Sequence, residues 1–476
     1  MRLRSLPGYC ALFLDYLEDT PSSRAFLPAR PDRDALFSFA SDTKDRKLPR
    51  ARVSTLLAEQ ATEFQSGSLV MEKIRLLREP GTAVVLTSLP PSVLGGPLCL
   101  LLKCLTTVKL AAELGQSGIP AVPLALVQAA NTAKAPRYSV TLLNSDCKPT
   151  RLSLDASAVW RLEDLQENVL GQADTGSDLI ETLRSLTPPG ASVTAASAAL
   201  LARLLDQWGL VLLDVGRQEY RALAAEAIAV HGLDAERISS LLQEQSRKLK
   251  EAGYDTAPCA GSCHQDEDGF LDSLLAQSSM LPVAAVVAGS CDVHKYTLSL
   301  SLFQALGLPP PMLWPRVSAT IVDAKSQKTL ERYHLALEDL FAGKEELLRK
   351  VGLEDVERSG TEHFDRVMSA IDAGIGRLTS LAPEESLREE AKASLEKIIY
   401  QLGRLEERFA SAIRLRREAA LRQLERACNT LAPESRPQEC ELAVLHFVMR
   451  YSRMVLPRIY ERISLWTPDH QVIDVE

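Results

Sequence analysis

Residues 81–114 read GTAVVLTSLPPSVLGGPLCLLLKCLTTVKLAAEL. A β-branched run, Ala83-Val84-Val85-Leu86-Thr87, meets Pro90-Pro91 and then Gly95-Gly96-Pro97, and a long apolar helix follows. Strand, irregular Gly/Pro loop and helix together open a βαβ unit, whose helix N-terminus is suited to receive a phosphate or carboxylate. Lys103 on that helix would add positive charge. Taken alone, Leu94-Gly95-Gly96-Pro97 is equally compatible with a plain structural corner.

Further along the chain the same pattern recurs. Ile119–Val127, Tyr138–Leu143, Gly209–Asp214 and Pro282–Gly289 are strand-length apolar runs, and Leu313-Trp314-Pro315-Arg316 opens an extended segment through Val322. Helices are expected between them, from about Ala195 to Gln207 and near Tyr296–Leu306. Apolar strands bounded by helices imply a mainly parallel sheet with both faces covered, an α/β core of Rossmann-like type. Ligands in such sheets sit beyond the carboxyl ends of the strands. That rule gathers Thr87–Pro97, Gln128–Ala133, Asp214 and Gly289–Asp292 into one region. Asp214 would hold a ribose hydroxyl or an amine there, or else cap the helix that follows.

Beyond Leu335 the period changes. Phe364, Val367, Met368, Ile371, Ile375 and Leu378 mark one amphipathic helix, and Pro383 breaks it. Leu395, Ile398, Leu402, Leu405, Phe409 and Ala412 form an a/d seam on a second, which Arg416 interrupts and Leu421, Leu424, Cys428 and Leu431 resume. The two helices are expected to form an antiparallel coiled-coil arm, its seam serving either dimerisation or its own partner helix. A final helix, about Glu439 to Ser464, is expected to return to the body. The organisation is then 1–80 helical, 81–335 core, 336–435 arm and 436–476 C-terminal helix.

With 46% hydrophobic and 24% charged residues the 476-residue chain has an ordinary globular composition. A net charge of −8 with no basic domain argues against nucleic acid as a partner. No run reaches the roughly 18 uncharged apolar residues of a membrane span, and the N-terminal apolar run is broken by Asp15. Nine scattered cysteines read as free thiols in a cytoplasmic protein. Cys259, Cys263, His264, Cys291 and His294 are the residue types that bind zinc, but the C-x3-C-H spacing fits no familiar zinc pattern, so no metal is assigned.

Taken in order, these segments resemble the BshC family, to which the cysteine-adding step of bacillithiol biosynthesis is assigned. The resemblance is carried by Val84–Thr87 with Leu94–Leu98 and Lys103, Ile119-Pro120 with Val122-Pro123, and Gly209–Asp214. Ala288-Gly289, Pro311–Arg316, Leu337–Phe341, Leu421–Arg426, Pro437–Glu439 and Arg450-Tyr451 continue it. It implies a Rossmann-like core with short connecting segments and a coiled-coil arm used for homodimerisation. It implies a ligase joining the carboxylate of L-cysteine to the amine of glucosaminyl malate, with ATP as co-substrate. Thr87, Gly95, Gly96, Lys103 and Gly289 would then face the nucleotide and Arg316 a substrate carboxylate, with Asp214 or Asp292 near the amine.

The same resemblance exposes three departures. Thr87-Ser88-Leu89-Pro90 stands where the family usually has Thr-Gly-Gln-Gln, and Ala130-Asn131-Thr132-Ala133 where it has Glu-Asp-His-Asp. Gly289-Ser290-Cys291-Asp292 replaces Gly-Pro-Gly-Glu and keeps one carboxylate. A rival reading follows, a dimeric ligand-binding or scaffold protein that kept the fold without the general acid/base set.

Overall fold

The computed structural model describes residues 1–27, 29–43, 46, 48–90, 92–128, 137–155, 193–229, 235–254 and 268–475. The chain divides into two units, residues 1–323 with 436–476, and residues 324–435.

The first unit is built on a five-stranded sheet of order β5-β2-β1-β6-β7. Its strands are β1 (Ala83–Leu89), β2 (Ala121–Val127), β5 (Val211–Asp214), β6 (Val283–Ala288) and β7 (Met312–Pro315). Every pairing is parallel. All seven residues of β1 and of β2 are buried, as expected of strands covered on both faces. Helix α1 (Leu98–Gln116) runs from β1 to β2 and packs on both, and α2 (Asp268–Met280) leads into β6. Helices Arg33–Asp42, Arg50–Glu63 and Ser68–Leu76 lie against β6 and β7, β5, and β2 respectively. The chain moves from β1 outward to β2 and then returns to the other side of β1 with β6. The topological switch point therefore lies between the carboxyl ends of β1 and β6.

Two expectations about this unit need correction. Tyr138–Leu143 does not join the parallel sheet. As β3 (Arg137–Leu143) it pairs antiparallel with β4 (Pro149–Asp155) in a separate hairpin, closed by Asn144, whose side chain accepts from the Asp146 and Lys148 amides. The single C-terminal helix is instead three short ones, Gln438–Glu441, Val444–Tyr451 and Val455–Arg462. Leu442 and Ala443 are extended because their backbones bond elsewhere. The Leu442 carbonyl accepts from the Leu98 amide, and the Ala443 amide donates to the Thr141 carbonyl. Tertiary hydrogen bonds outweigh helix propensity at this point. The segment after Arg316 forms β8 (Ala319–Val322), parallel to a C-terminal strand, β9 (Gln471–Asp474), that the sequence pattern does not announce.

The second unit contains two long helices, α4 (Leu353–Leu381) and α5 (Glu385–Leu431), joined around Pro383. They pack on each other, with Phe364 edge-on to Phe409 at 5.7 Å between ring centres. An added Cβ on Gly360 would lie 2.5 Å from the Phe409 ring, so the close approach requires glycine there. Among the described residues no helix is long and apolar enough to cross a membrane.

Candidate functional site

The switch point is shaped by the loop that leaves β1. Leu94, Gly95 and Gly96 all have left-handed φ, at 54°, 79° and 73°. Gly96 is doubly constrained, because a Cβ there would lie 2.4 Å from Leu100 Cδ1 and 3.0 Å from Ser92 Cβ. The Gly95 amide donates to Ser197 Oγ (2.9 Å) and the Gly96 amide to the Val93 carbonyl (2.8 Å). Both amides that the sequence offers to an anion thus have acceptors inside the protein.

This loop launches α1, whose sixth residue is Lys103. It is 2 % exposed, and a cation so deeply buried needs a partner. Its Nζ lies 2.6 Å from Asp292 Oδ2 and donates to the Ser88 carbonyl (3.1 Å). Asp292 belongs to the first turn of helix α3 (Ser290–Leu306), so Gly289–Asp292 is the start of a helix rather than a loop, and the helix begins six residues earlier than expected. The Asp292 carboxylate also accepts from the Gly289 amide (2.8 Å), which places a negative charge at the helix N-terminus, where the dipole favours it. Thr87 Oγ1 donates to the Val287 carbonyl (3.0 Å) and Gln128 Nε2 to Ser88 Oγ (2.9 Å). Thr87, Lys103, Gly289 and Asp292 therefore meet at one place, from strand ends adjacent in space and about 200 residues apart in sequence.

Asp214 does not join them. It ends β5, three strand spacings from β6, roughly 14 Å away. Its carboxylate accepts from the Gly216 amide (2.9 Å) and lies 3.5 Å from Arg217 Nε, and its backbone is held by Gln60. That is turn and pairing work.

Arg316 follows β7 and is buried beside Gly289, where an added Cβ would stand 3.2 Å from its Nε. Its Nη2 donates to Glu439 Oε1 at 2.8 Å. Glu439 is fully buried and also accepts from Tyr9 OH (2.6 Å), Ser318 Oγ (2.9 Å) and the Ala319 amide (2.8 Å). Ser318 Oγ in turn meets His470 Nδ1 at 2.6 Å, and His470 Nε2 meets Thr320 Oγ1 at 2.8 Å. Burial pushes the Glu439 carboxyl up, but the Arg316 charge and hydrogen bond, with His470, outweigh it and hold the carboxyl below its ordinary range. Glu439, Tyr9, Ser318 and His470 were not foreseen from sequence. A glutamate 123 residues from its arginine carries no local signal.

Of the zinc-type residues, Cys291 and His294 lie on the first turns of α3, while Cys259, Cys263 and His264 lie outside the described residues. Among the described residues no group of three or more His, Cys, Asp or Glu is placed to hold a metal ion.

Two family models match the chain. "Bacillithiol biosynthesis BshC, N-terminal Rossmann-like domain" covers residues 4–264, and the C-terminal coiled-coil domain of the same family covers residues 319–475. A protein of Koribacter versatilis is 27% identical, over 99% of this chain and 99% of its own. One from Solibacter usitatus is 25% identical over 100% and 99%, and one from Salinibacter ruber 23% over 99% and 97%. All three carry the name "Putative cysteine ligase BshC".

Proposed function

We propose a reaction from this premise: the chain belongs to the BshC family of bacillithiol biosynthesis. The reaction is ligation of L-cysteine, through its carboxylate, to the amine of a glucosaminyl malate-type acceptor. The observation that carries this reading is the match over nearly the whole chain to relatives named as cysteine ligases.

Forming an amide from a carboxylate requires activation, and ATP is the co-substrate this reading assigns. The cysteine carboxylate takes a phosphoryl or adenylyl group. The acceptor amine attacks the acyl carbon, phosphate or AMP departs, and the amine gives up a proton. Lys103 and the N-terminus of α3 supply positive charge for the phosphates at the switch point. Asp292 takes the amine proton, the Lys103–Asp292 pair opening as the substrates arrive. Geometry favours Asp292 over Asp214 for this role, because Asp292 adjoins Lys103 and Gly289. Arg316, which this reading turns to a substrate carboxylate, is held beside Gly289 by Glu439. The arm joins two copies in the cytoplasm. Support for this comes from its exposed apolar residues, among them Leu378, Leu381, Leu405, Phe409 and Leu415.

One observation favours the rival reading of a non-catalytic binding or scaffold protein. Thr87, Gly95, Gly96, Lys103 and Asp292 all have partners within the fold. The two readings separate in a strain lacking its own cysteine-adding enzyme. Restored bacillithiol supports the ligase, whereas none, despite folded dimeric protein and no thermal shift with ATP or ADP, supports the rival.

A further inference from the structure

A second feature lies at the carboxyl end of the sheet, beyond β7. A cleft of about 240 Å³ is lined by the Arg30–Arg33 segment, the Pro315–Ser318 link and residues Leu465–Asp469. A cavity of about 150 Å³ takes one benzene ring, so this one admits a ligand of a few more heavy atoms and not a whole nucleotide.

Its charges are distributed unevenly. Arg4, Arg24 and Arg52, in the same N-terminal stretch, each hold a carboxylate at 2.6–2.8 Å. Among the described residues Arg30 and Arg33 hold none, although Arg33 lies over the Phe37 ring. Arg316 is already neutralised by Glu439 and gives the floor position rather than charge. Of the two aspartates in the lining, Asp32 is occupied in capping the helix Arg33–Asp42 through the Ala35 amide (2.9 Å). Asp469 is the other exposed carboxylate of the lining and has no cap to serve. The wall between is apolar, with Leu465 and Trp466, and Trp466 stands edge-on to the buried Trp314 at 5.6 Å. The floor is rigid, since Ser318 and Arg316 are both tied to the buried Glu439.

Two guanidiniums outside any carboxylate ion pair, a carboxylate not engaged in capping and a short apolar wall are complementary to a small zwitterion. We propose that this cleft binds a free α-amino acid with a short side chain, its carboxylate on Arg30 and Arg33 and its ammonium on Asp469. The identity of that amino acid, cysteine, rests on the ligase reading; the charge pattern does not.

Calorimetric titration of the full chain tests the assignment, with and without a non-hydrolysable ATP analogue. The probes are L-cysteine under reductant, cysteamine, which lacks the carboxylate, and N-acetylcysteine, which lacks the ammonium. Cysteine is expected to bind, and each truncated probe at least tenfold more weakly. Arg30→Gln with Arg33→Gln should weaken cysteine binding at least tenfold at unchanged Tm. Asp469→Asn should weaken cysteine and leave N-acetylcysteine unaffected. No cysteine binding under either condition, or wild-type affinity in the double variant, overturns the proposal. Arginine-dependent binding without bacillithiol formation sinks the ligase reading and leaves the cleft assignment standing. Bacillithiol formation with an unchanged KM for cysteine in the double variant does the reverse.

Discussion

Two buried ion pairs sit at the carboxyl end of one sheet, and they differ in how they are held. Lys103–Asp292 bridges the second turn of one helix and the first turn of another at the switch point, between a strand carbonyl and a helix-capping amide. Arg316–Glu439 lies one strand further out, and its carboxylate also serves Tyr9, Ser318 and the Ala319 amide. The second cannot move without leaving several donors unsatisfied inside the protein. A pair embedded in such a network is a fastening, while a pair joining two helices beside a topological switch lies where sheets of this kind bind their ligands.

Removing Glu439 should have the largest effect. Glu439→Ala leaves the Arg316 charge buried and unpaired and should cost about 3–5 kcal/mol in urea unfolding. Replacing both members of each pair with apolar residues sharpens the contrast. Lys103→Met with Asp292→Leu should recover most of the stability lost by Lys103→Met alone. Arg316→Met with Glu439→Leu should not, because Tyr9, Ser318 and Ala319 lose their acceptor. Equal recovery in the two cycles would erase the distinction between the two pairs.

Gly96→Ala, in the loop behind Lys103, should cost about 1–3 kcal/mol, from its positive φ and the clash with Leu100. Acid should act on Glu439 and on buried His446, whose Nδ1 accepts from the Leu143 amide of the β3–β4 hairpin, at different pH. His446 is pushed down to about 3 by burial, with the Arg450 charge adding to it. Its contribution is therefore full above the unfolded value of about 6.5 and is lost as pH falls toward 3. Glu439, also depressed, loses its contribution only below the unfolded value of about 4.3. Unfolding measured between pH 7 and 3 should show the higher-pH part of the slope flattened by His446→Gln and the lower part by Glu439→Gln. Asp214→Asn should matter least, within about 1 kcal/mol of stability, with ATP-induced thermal shift unchanged. Loss of nucleotide binding in that variant would move the site away from the switch point.

Much of this was legible in the chain itself. The β-branched runs at Val84, Val122, Val211 and Val283, punctuated by Gly and Pro, gave the parallel core because period and turn chemistry are local properties. The heptad seam around Pro383 gave the two-helix arm for the same reason. The hairpin at Arg137–Asp155 was misread as a core strand, because an apolar run does not say which partner it will pair with; the turn residues Asn144 and Asp146 were the signal. The C-terminal helix was overextended because nothing near Leu442 indicates that Leu98 will take its carbonyl.

The candidate site divides along the same line. Thr87, Lys103, Gly289 and Asp292 could be named from sequence because strand ends and helix starts are marked by composition, and topology brings the carboxyl ends of β1 and β6 together. What only the tertiary structure decided was pairing. Lys103 turned to Asp292, Arg316 to Glu439, and Asp214 to its own turn on a distant strand. A charge entering a low-dielectric interior must find its opposite there, and which one it finds depends on distances that no spacing along the chain records.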